Sequence, residues 1–472
     1  MKILYATSEA VPFIKSGGLA DVSGALPKEL VKLKADIRVI LPLYDDIPKE
    51  FKEKMVSVGS ASVPLGWRNQ YAGLFSLTLG GVMFYFVDNE YYFKRKGIYG
   101  FFDDGERFAF FSKAVLELMP LMNYFPDVLH CNDWQTALAP VMLNAFYRLI
   151  DGYKTMKTVL SIHNIEFQGR MDAYCIGNVF GIPDEFASVC EYKKDANMLK
   201  GGIEASNLVV TVSPTYAGEI LDPFYACGLE DILNARKFKL SGIVNGIDTD
   251  VYNPASDTSL FQNYTAKTAS AKKKLNKKEL QELLNLPVQD KPLLAIVSRL
   301  TPQKGVDLIL KVIHEIMSAD VQFVVLGTGD WKYENELKEL ALRYPTKLAT
   351  VIGFSGALAS KIYGAADLFL VPSKFEPCGL TQLISMRYGG IPVVRETGGL
   401  KDTVIPFNPT DKTGNGFTFK TYDAYDMLDA INRALATYAN KAEWDAVQNN
   451  ALATDSSWAK SAKEYIKLYK SL

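Results

Sequence analysis

The chain has 472 residues, too many for one ordinary domain and suited to two or three. Its 48% hydrophobic content provides an ample core, and 52 Lys+Arg against 53 Asp+Glu leave a net charge of −1. No basic field therefore advertises nucleic acid or an anionic membrane surface.

Five cysteines, at 131, 175, 190, 227 and 378, are odd in number and lack C-x-x-C spacing, which fits free thiols in a reduced compartment. The opening MKILYATSEAVPF carries one lysine, and its short apolar run soon meets Glu9 and Pro12. It reads as a first strand and not as a signal peptide. No stretch reaches the length of a membrane span, so the expected location is the cytoplasm, with a mature plastid protein also compatible.

Residues 2–6 form the first predicted strand. A loop with Lys15-Ser16-Gly17-Gly18 follows, then a helix from about residue 20 to 34 with Val22, Leu26, Leu30 and Leu33 on one face. Residues 36–41 return as a strand. The Gly-rich crossover lies at the carboxyl end of the first strand, where such units place ligands. Lys15 adds a mobile charge there, although a solvated surface turn is the plainer reading. Two alternating runs between residues 70 and 87 flank Gly80-Gly81, a hairpin signal. Further elements read as a helix at 106–119, a strand at 127–130, a helix at 135–149, and strands at 158–162, 208–212 and 242–244.

Several of these strands end in polar residues. His163 stands just past one strand end and is the best placed of three histidines; His130 reads as a satisfied core residue and His314 as structural or solvent-facing. Asp248-Thr249-Asp250 has the spacing of an acid pair that holds a divalent ion, but lies in a turn-rich linker and reads as a false positive.

Beyond Asn245-Gly246 a second domain alternates cleanly. Strands are predicted at 293–298, 321–326, 348–352, 368–371 and 391–394, with helices near 305–318, 331–343, 356–365, 379–388 and 422–439. Such alternation means a parallel, doubly wound sheet. Arg299 and Lys304 flank the first strand-to-helix turn and suit the two phosphates of a nucleoside diphosphate. Residues 367–390 run from a buried strand through Glu376 into a helix opening at Gly379, a seat for phosphate beside a carboxylate suited to sugar hydroxyls. Gly327-Thr328-Gly329 is an incomplete dinucleotide fingerprint.

The segments KSGGLADVSGALPKEL, HCNDWQT, SIHNIEFQG, NGID, SRLTPQKG, FEPCGLTQL and RETGGLKDTV resemble, in this order, the motifs of bacterial glycogen synthases and plant starch synthases. The resemblance spans nearly the whole chain. It implies an α/β fold of the GT-B type, two Rossmann-like doubly wound domains facing each other across a deep cleft. The expected boundaries are 1–244 for the acceptor-side domain and 245–455 for the donor-binding domain. A helix within 456–472 is expected to pack back on the first, and closure on donor binding is implied.

The implied activity is transfer of glucose from ADP-glucose to the non-reducing end of an α-1,4-glucan, a glycogen or starch primer. Configuration is retained, with no metal and no other cofactor. By the same resemblance, His163, Glu376, Lys304 and Arg299 take catalytic positions. Lys15, Gly17, Gly18, Asp21, Asp133, Asn245, Phe354, Cys378, Gly379, Leu380 and Thr381 take substrate-binding ones. Ser16 and Phe354 stand where relatives more often carry threonine and tyrosine. A UDP-glucose-dependent or sucrose-type synthase, a catalytically silent glucan-binding protein, and a nicotinamide dehydrogenase are the alternatives.

Overall fold

A computed structural model describes residues 1–472. The chain divides into two compact units, Met1–Asn245 with Trp458–Leu472, and Gly246–Ser457.

Unit one is built on a nine-stranded sheet. Its order is Leu240–Gly242, Leu208–Thr211, Lys157–Ile162, Val128–Asn132, Lys2–Ala6, Asp36–Pro42, Val82–Asp88, Arg68–Leu79 and Val56–Leu65. The first seven run parallel and the last two antiparallel. Ile3, Leu4, Tyr5 and Ala6 are all fully buried, as a central parallel strand covered on both faces requires. The helix after it, Gly18–Lys32, buries Leu19, Val22, Leu26 and Leu30. The chain returns at its end as the helix Trp458–Lys470, which packs against Gly18–Lys32 and buries Trp458, Ala462, Tyr465 and Tyr469.

Three elements of unit one differ from expectation. The strand Val56–Leu65 completes the hairpin on its far side; with Val56 and Val58 exposed and Gly59 and several serines between, its composition hides the usual alternation. The helix expected over 135–149 starts at Leu138 and passes into a π-helical turn, Leu143–Tyr147. The strand expected at 242–244 lies at Leu240–Gly242, so Asn245 follows a short extended link.

Unit two carries six parallel strands in the order Leu348–Ile352, Gln322–Gly327, Leu293–Val297, Leu368–Val371, Ile391–Arg395 and Phe417–Phe419. Numbered along the unit this is 3-2-1-4-5-6, the doubly wound order. The expected helix 305–318 breaks at Val312 into Val306–Lys311 and Ile313–Ser318, and the helices Gly398–Thr403 and Lys441–Ala453 are additional. No helix of the chain is long and apolar enough to cross a membrane.

Each sheet has a point where the winding reverses and adjacent loops diverge to leave a crevice. In unit two it lies between Leu293–Val297 and Leu368–Val371. In unit one it lies between Lys2–Ala6 and Val128–Asn132. Ligands of open α/β sheets bind at such points, beyond the carboxyl ends of the strands.

Candidate active site

In unit two the loops leaving the two switch-point strands line the two sides of this crevice. Lys304, Ser373, Glu376, Gly379, Leu380 and Thr381 line one pocket beneath Val297 and Val371. Lys304 Nζ lies 2.6 Å from Glu376 Oε2, and Ser373 Oγ donates to the same oxygen at 2.9 Å. Both donors converge on Oε2, so Oε1 of this buried carboxylate is left to accept from a ligand.

Backbone contacts lock this arrangement. Lys374 N donates to Gln303 O at 2.8 Å and Gln303 Nε2 to Phe375 O at 3.3 Å, joining the Lys304 turn to the Glu376 loop. Gly305 sits at φ +73°, and a Cβ there would lie 2.1 Å from Pro372 O. Gly398, at φ +44°, passes so close behind Glu376 that a Cβ would lie 2.0 Å from its carbonyl oxygen. Both positions need glycine, for the left-handed backbone and for the missing Cβ.

The helix expected to open at Gly379 begins two residues later, as Thr381–Arg387 with Leu380 at its N-cap. Gly379 instead turns the chain at φ +76°. The N–H groups of Gly379 and Leu380 donate to no acceptor in the chain and remain available to an anion. Cys378 is buried, its carbonyl accepting from Gln382 Nε2 at 3.0 Å. Arg299 is exposed and donates to Gln303 Oε1 at 3.4 Å, outside the pocket lining. Phe354 follows the edge strand Leu348–Ile352 and is 91% exposed, so its ring has no protein surface to rest on.

In unit one the first switch-point loop carries Lys15, whose Nζ is 2.8 Å from Asp21; both expected residues therefore form one local ion pair. Gly17 caps the helix that Gly18 begins. Of the two glycines expected to bring backbone to a ligand, Gly17 has its N–H already engaged. Glu9, nearly fully buried, accepts from Ser16 N, from Ser16 Oγ at 3.1 Å and from Gly17 N at 3.3 Å. Burial pushes its carboxyl up despite these bonds. Glu9 was not singled out in the sequence. The available signal was a carboxylate six residues before Lys15 in the same crossover, where a Gly-containing turn needs an acceptor for its N–H groups.

The second switch-point loop holds Asp133 at φ +55°, unusual for a residue with a Cβ. Its N–H donates to Ser161 O at 2.8 Å and its Oδ1 accepts from His163 N at 2.7 Å. Burial pushes this carboxyl up to about 7.

Asn132 fixes the histidine. Its Nδ2 donates to Ala6 O at 2.9 Å and its Oδ1 accepts from Tyr5 Oη at 2.9 Å. The 3.0 Å contact between His163 Nε2 and that oxygen is thus N–H donating to O, which leaves Nδ1 as a free acceptor. Burial holds His163 down at about 4, a neutral imidazole. His130, one strand deeper, is locked between Tyr469 Oη and Ser161 Oγ, each at 2.6 Å, and lies in the core. Asn245 is buried with Oδ1 lacking any protein partner.

Asp248 Oδ1 accepts from Asp250 N at 3.0 Å and Val251 N at 3.3 Å, so that carboxylate closes a turn. The chain forms no group of three or more His, Cys, Asp or Glu side chains spaced to hold a metal ion.

Residues 2–235 match the family described as starch synthase catalytic domain, and residues 278–450 match glycosyl transferases group 1. A glycogen synthase of Clostridium acetobutylicum is 50% identical over the whole of both chains. The catalytic domain of starch synthase IV from Arabidopsis thaliana, solved with ADP and acarbose, superposes with a TM-score of 0.91 at 34% identity, covering 100% of this chain and 98% of that one. A sucrose-phosphate synthase from Thermosynechococcus elongatus, covering 100% of this chain and 98% of its own at 16% identity and a TM-score of 0.63, shares the fold. With this likeness running from end to end, the chain belongs to the glycogen and starch synthase family of GT-B glucosyltransferases.

Proposed function

We propose that this enzyme transfers glucose from ADP-glucose to the non-reducing end of an α-1,4-glucan with retention, that unit two holds the donor, and that unit one receives the glucan. The carrying observation is the Lys304–Glu376–Ser373 cluster beside the unengaged N–H groups of Gly379 and Leu380 at a switch point. Cations and N–H donors match a diphosphate, and a carboxylate oxygen with no other partner matches glucose hydroxyls. The relative solved with ADP supports an adenine nucleotide donor.

Departure of ADP builds negative charge on the leaving phosphate. Lys304, Arg299, Lys15 and the Gly379–Leu380 amides neutralise it, which is the main catalytic term in such a site. Glu376 Oε1 orients the sugar as its ring flattens. His163, neutral, accepts a sugar hydroxyl proton at Nδ1 in a hydrogen bond and adds no repulsive charge near the developing oxocarbenium. Asp133, Asp21 and Asn245 bind substrate hydroxyls, and Phe354 stacks on the adenine face. The leaving phosphate takes the acceptor's proton on the same face, so no second carboxylate is needed at the anomeric carbon.

Incorporation of labelled glucose into glycogen, with ADP-glucose and UDP-glucose in parallel and repeated in chelator, tests the proposal. Transfer from ADP-glucose that survives EDTA is expected. Transfer from UDP-glucose alone, or loss in EDTA restored by magnesium, overturns the donor or the metal-free reading respectively.

A further inference from the structure

Six consecutive backbone carbonyls of the Glu376 loop accept hydrogen bonds, and none of their donors belongs to a residue that lines the pocket. Lys374 O accepts from Arg395 Nη1 at 2.6 Å and Phe375 O from Gln303 Nε2 at 3.3 Å. Glu376 O and Pro377 O both accept from Gly399 N, at 3.2 and 3.1 Å. Cys378 O and Gly379 O both accept from Gln382 Nε2, each at 3.0 Å. A backbone seat for an anion needs this arrangement. A carbonyl oxygen turned inward would repel phosphate, and a carbonyl held outward leaves the neighbouring N–H groups to face it.

The last two carbonyls, those next to the open Gly379 and Leu380 amides, depend on one side chain. Gln382 is the second residue of the helix Thr381–Arg387 and is fully buried. Its Nε2 also donates to Thr403 Oγ1 at 3.2 Å, while its Oε1 is buried without a partner. The reversed amide would set its oxygen against two carbonyl oxygens, so the orientation is fixed by the acceptors. The side chain thus leaves its own acceptor unsatisfied while serving the two carbonyls, a cost that packing alone does not explain. Gly379 lies against it so closely that a Cβ there would come 2.5 Å from Oε1.

We propose that Gln382 is a positioning residue for the donor. Its side-chain amide holds the carbonyls of Cys378 and Gly379 out of the pocket, so that the N–H groups of Gly379 and Leu380 face the phosphate that carries the glucose. The inference rests on the reading above in which unit two holds ADP-glucose. Glu376, which meets the sugar in that reading, stands three residues before Gly379. The phosphate at these amides is therefore the one joined to glucose, the distal phosphate of ADP, which AMP lacks.

The test measures binding of ADP and of AMP by calorimetry, with thermal unfolding alongside, in the parent and in three variants. Gln382→Met keeps the length and removes the donor. Gln382→Glu keeps the shape and sets an acceptor against two carbonyls. Thr403→Val leaves both carbonyls their donor. The parent is expected to bind ADP more tightly than AMP. Gln382→Met should lose about tenfold in ADP affinity, the scale of one hydrogen bond to a charged group, with AMP changed by less than about twofold. Gln382→Glu should lose more, and Thr403→Val should match the parent. An unchanged ADP affinity in both Gln382 variants overturns the inference. So does an equal loss for ADP and AMP, or an equal loss in Thr403→Val, since either would mean general damage to the helix packing. Unfolding of both Gln382 variants would make the residue a structural one and overturns it too. A parent that binds neither nucleotide sinks the donor reading and this inference with it. A parent that prefers ADP, with Gln382 variants that prefer it equally, sinks this inference alone.

Discussion

The two switch points occupy corresponding places in their sheets, and the buried carboxylates at them have different partners. In unit two a cation meets a carboxylate directly, Lys304 on Glu376, with amides left open nearby. In unit one the buried carboxylates Glu9 and Asp133 accept backbone N–H groups and pair with no cation; burial raises both. One crevice presents an ion pair and open amides, and the other presents hydrogen-bond acceptors and a neutral histidine. The fold supplies the place, and the polarity of a few side chains supplies the specificity.

Removing the carboxylate of the first crevice should have the largest effect. Glu376→Ala is expected to lower kcat by roughly two to three orders of magnitude while thermal unfolding stays near that of the parent. Near-normal turnover would mean that Lys304 alone makes the donor site. Gly398→Ala attacks the same carboxylate from behind, since its Cβ would collide with the Glu376 carbonyl. A loss of about 2–4 kcal/mol in stability, read in urea, is expected together with reduced turnover. An unchanged midpoint would show that the close backbone approach is not rigid.

The smallest effect belongs to the second crevice and is read against pH. His163, at about 4, and His130, at about 3, have folded pKa values depressed below the ordinary 6.5. The unfolded chain therefore binds protons that the folded chain refuses, so their contribution is complete above about pH 6.5 and is lost as pH falls towards 4. Asp133 acts in the other sense. Its carboxyl is raised to about 7, so the folded chain keeps a proton that the unfolded chain has lost, and stability falls as pH climbs from about 4 to 7. Asp133→Asn removes that term. The variant should melt a few degrees above the parent at pH 8, with the gap closing near pH 4. A gap that is constant with pH would assign the change to packing.

Much of this was readable from the chain. Lys2–Ala6, Leu293–Val297 and Leu368–Val371 are continuous apolar runs bounded by turn residues, so their burial and type follow from composition. Lys304 and Glu376 stand beside strand ends, where an α/β protein keeps its ligands. Elements with mixed signals were less legible. Val56–Leu65 lacks clean alternation because it lies at the sheet edge, and the helix over 135–149 changes to a π-turn that periodicity does not report. Glu9, Ser373 and Gly398 escaped because their roles depend on partners distant in sequence or on backbone that passes behind them.

Hydrophobic spacing and turn chemistry, which are local, determined the α/β class, most strand positions and the polar residues that end them. Strand order is non-local, and only the tertiary structure decided that residues 293–297 lie beside 368–371 and residues 2–6 beside 128–132. That adjacency brings Lys304 within 2.6 Å of Glu376 across 72 residues of chain. Pairing of residues 157–162 with 128–132 likewise sets His163 against Asn132, and together these adjacencies turn a list of polar residues into two crevices with defined chemistry.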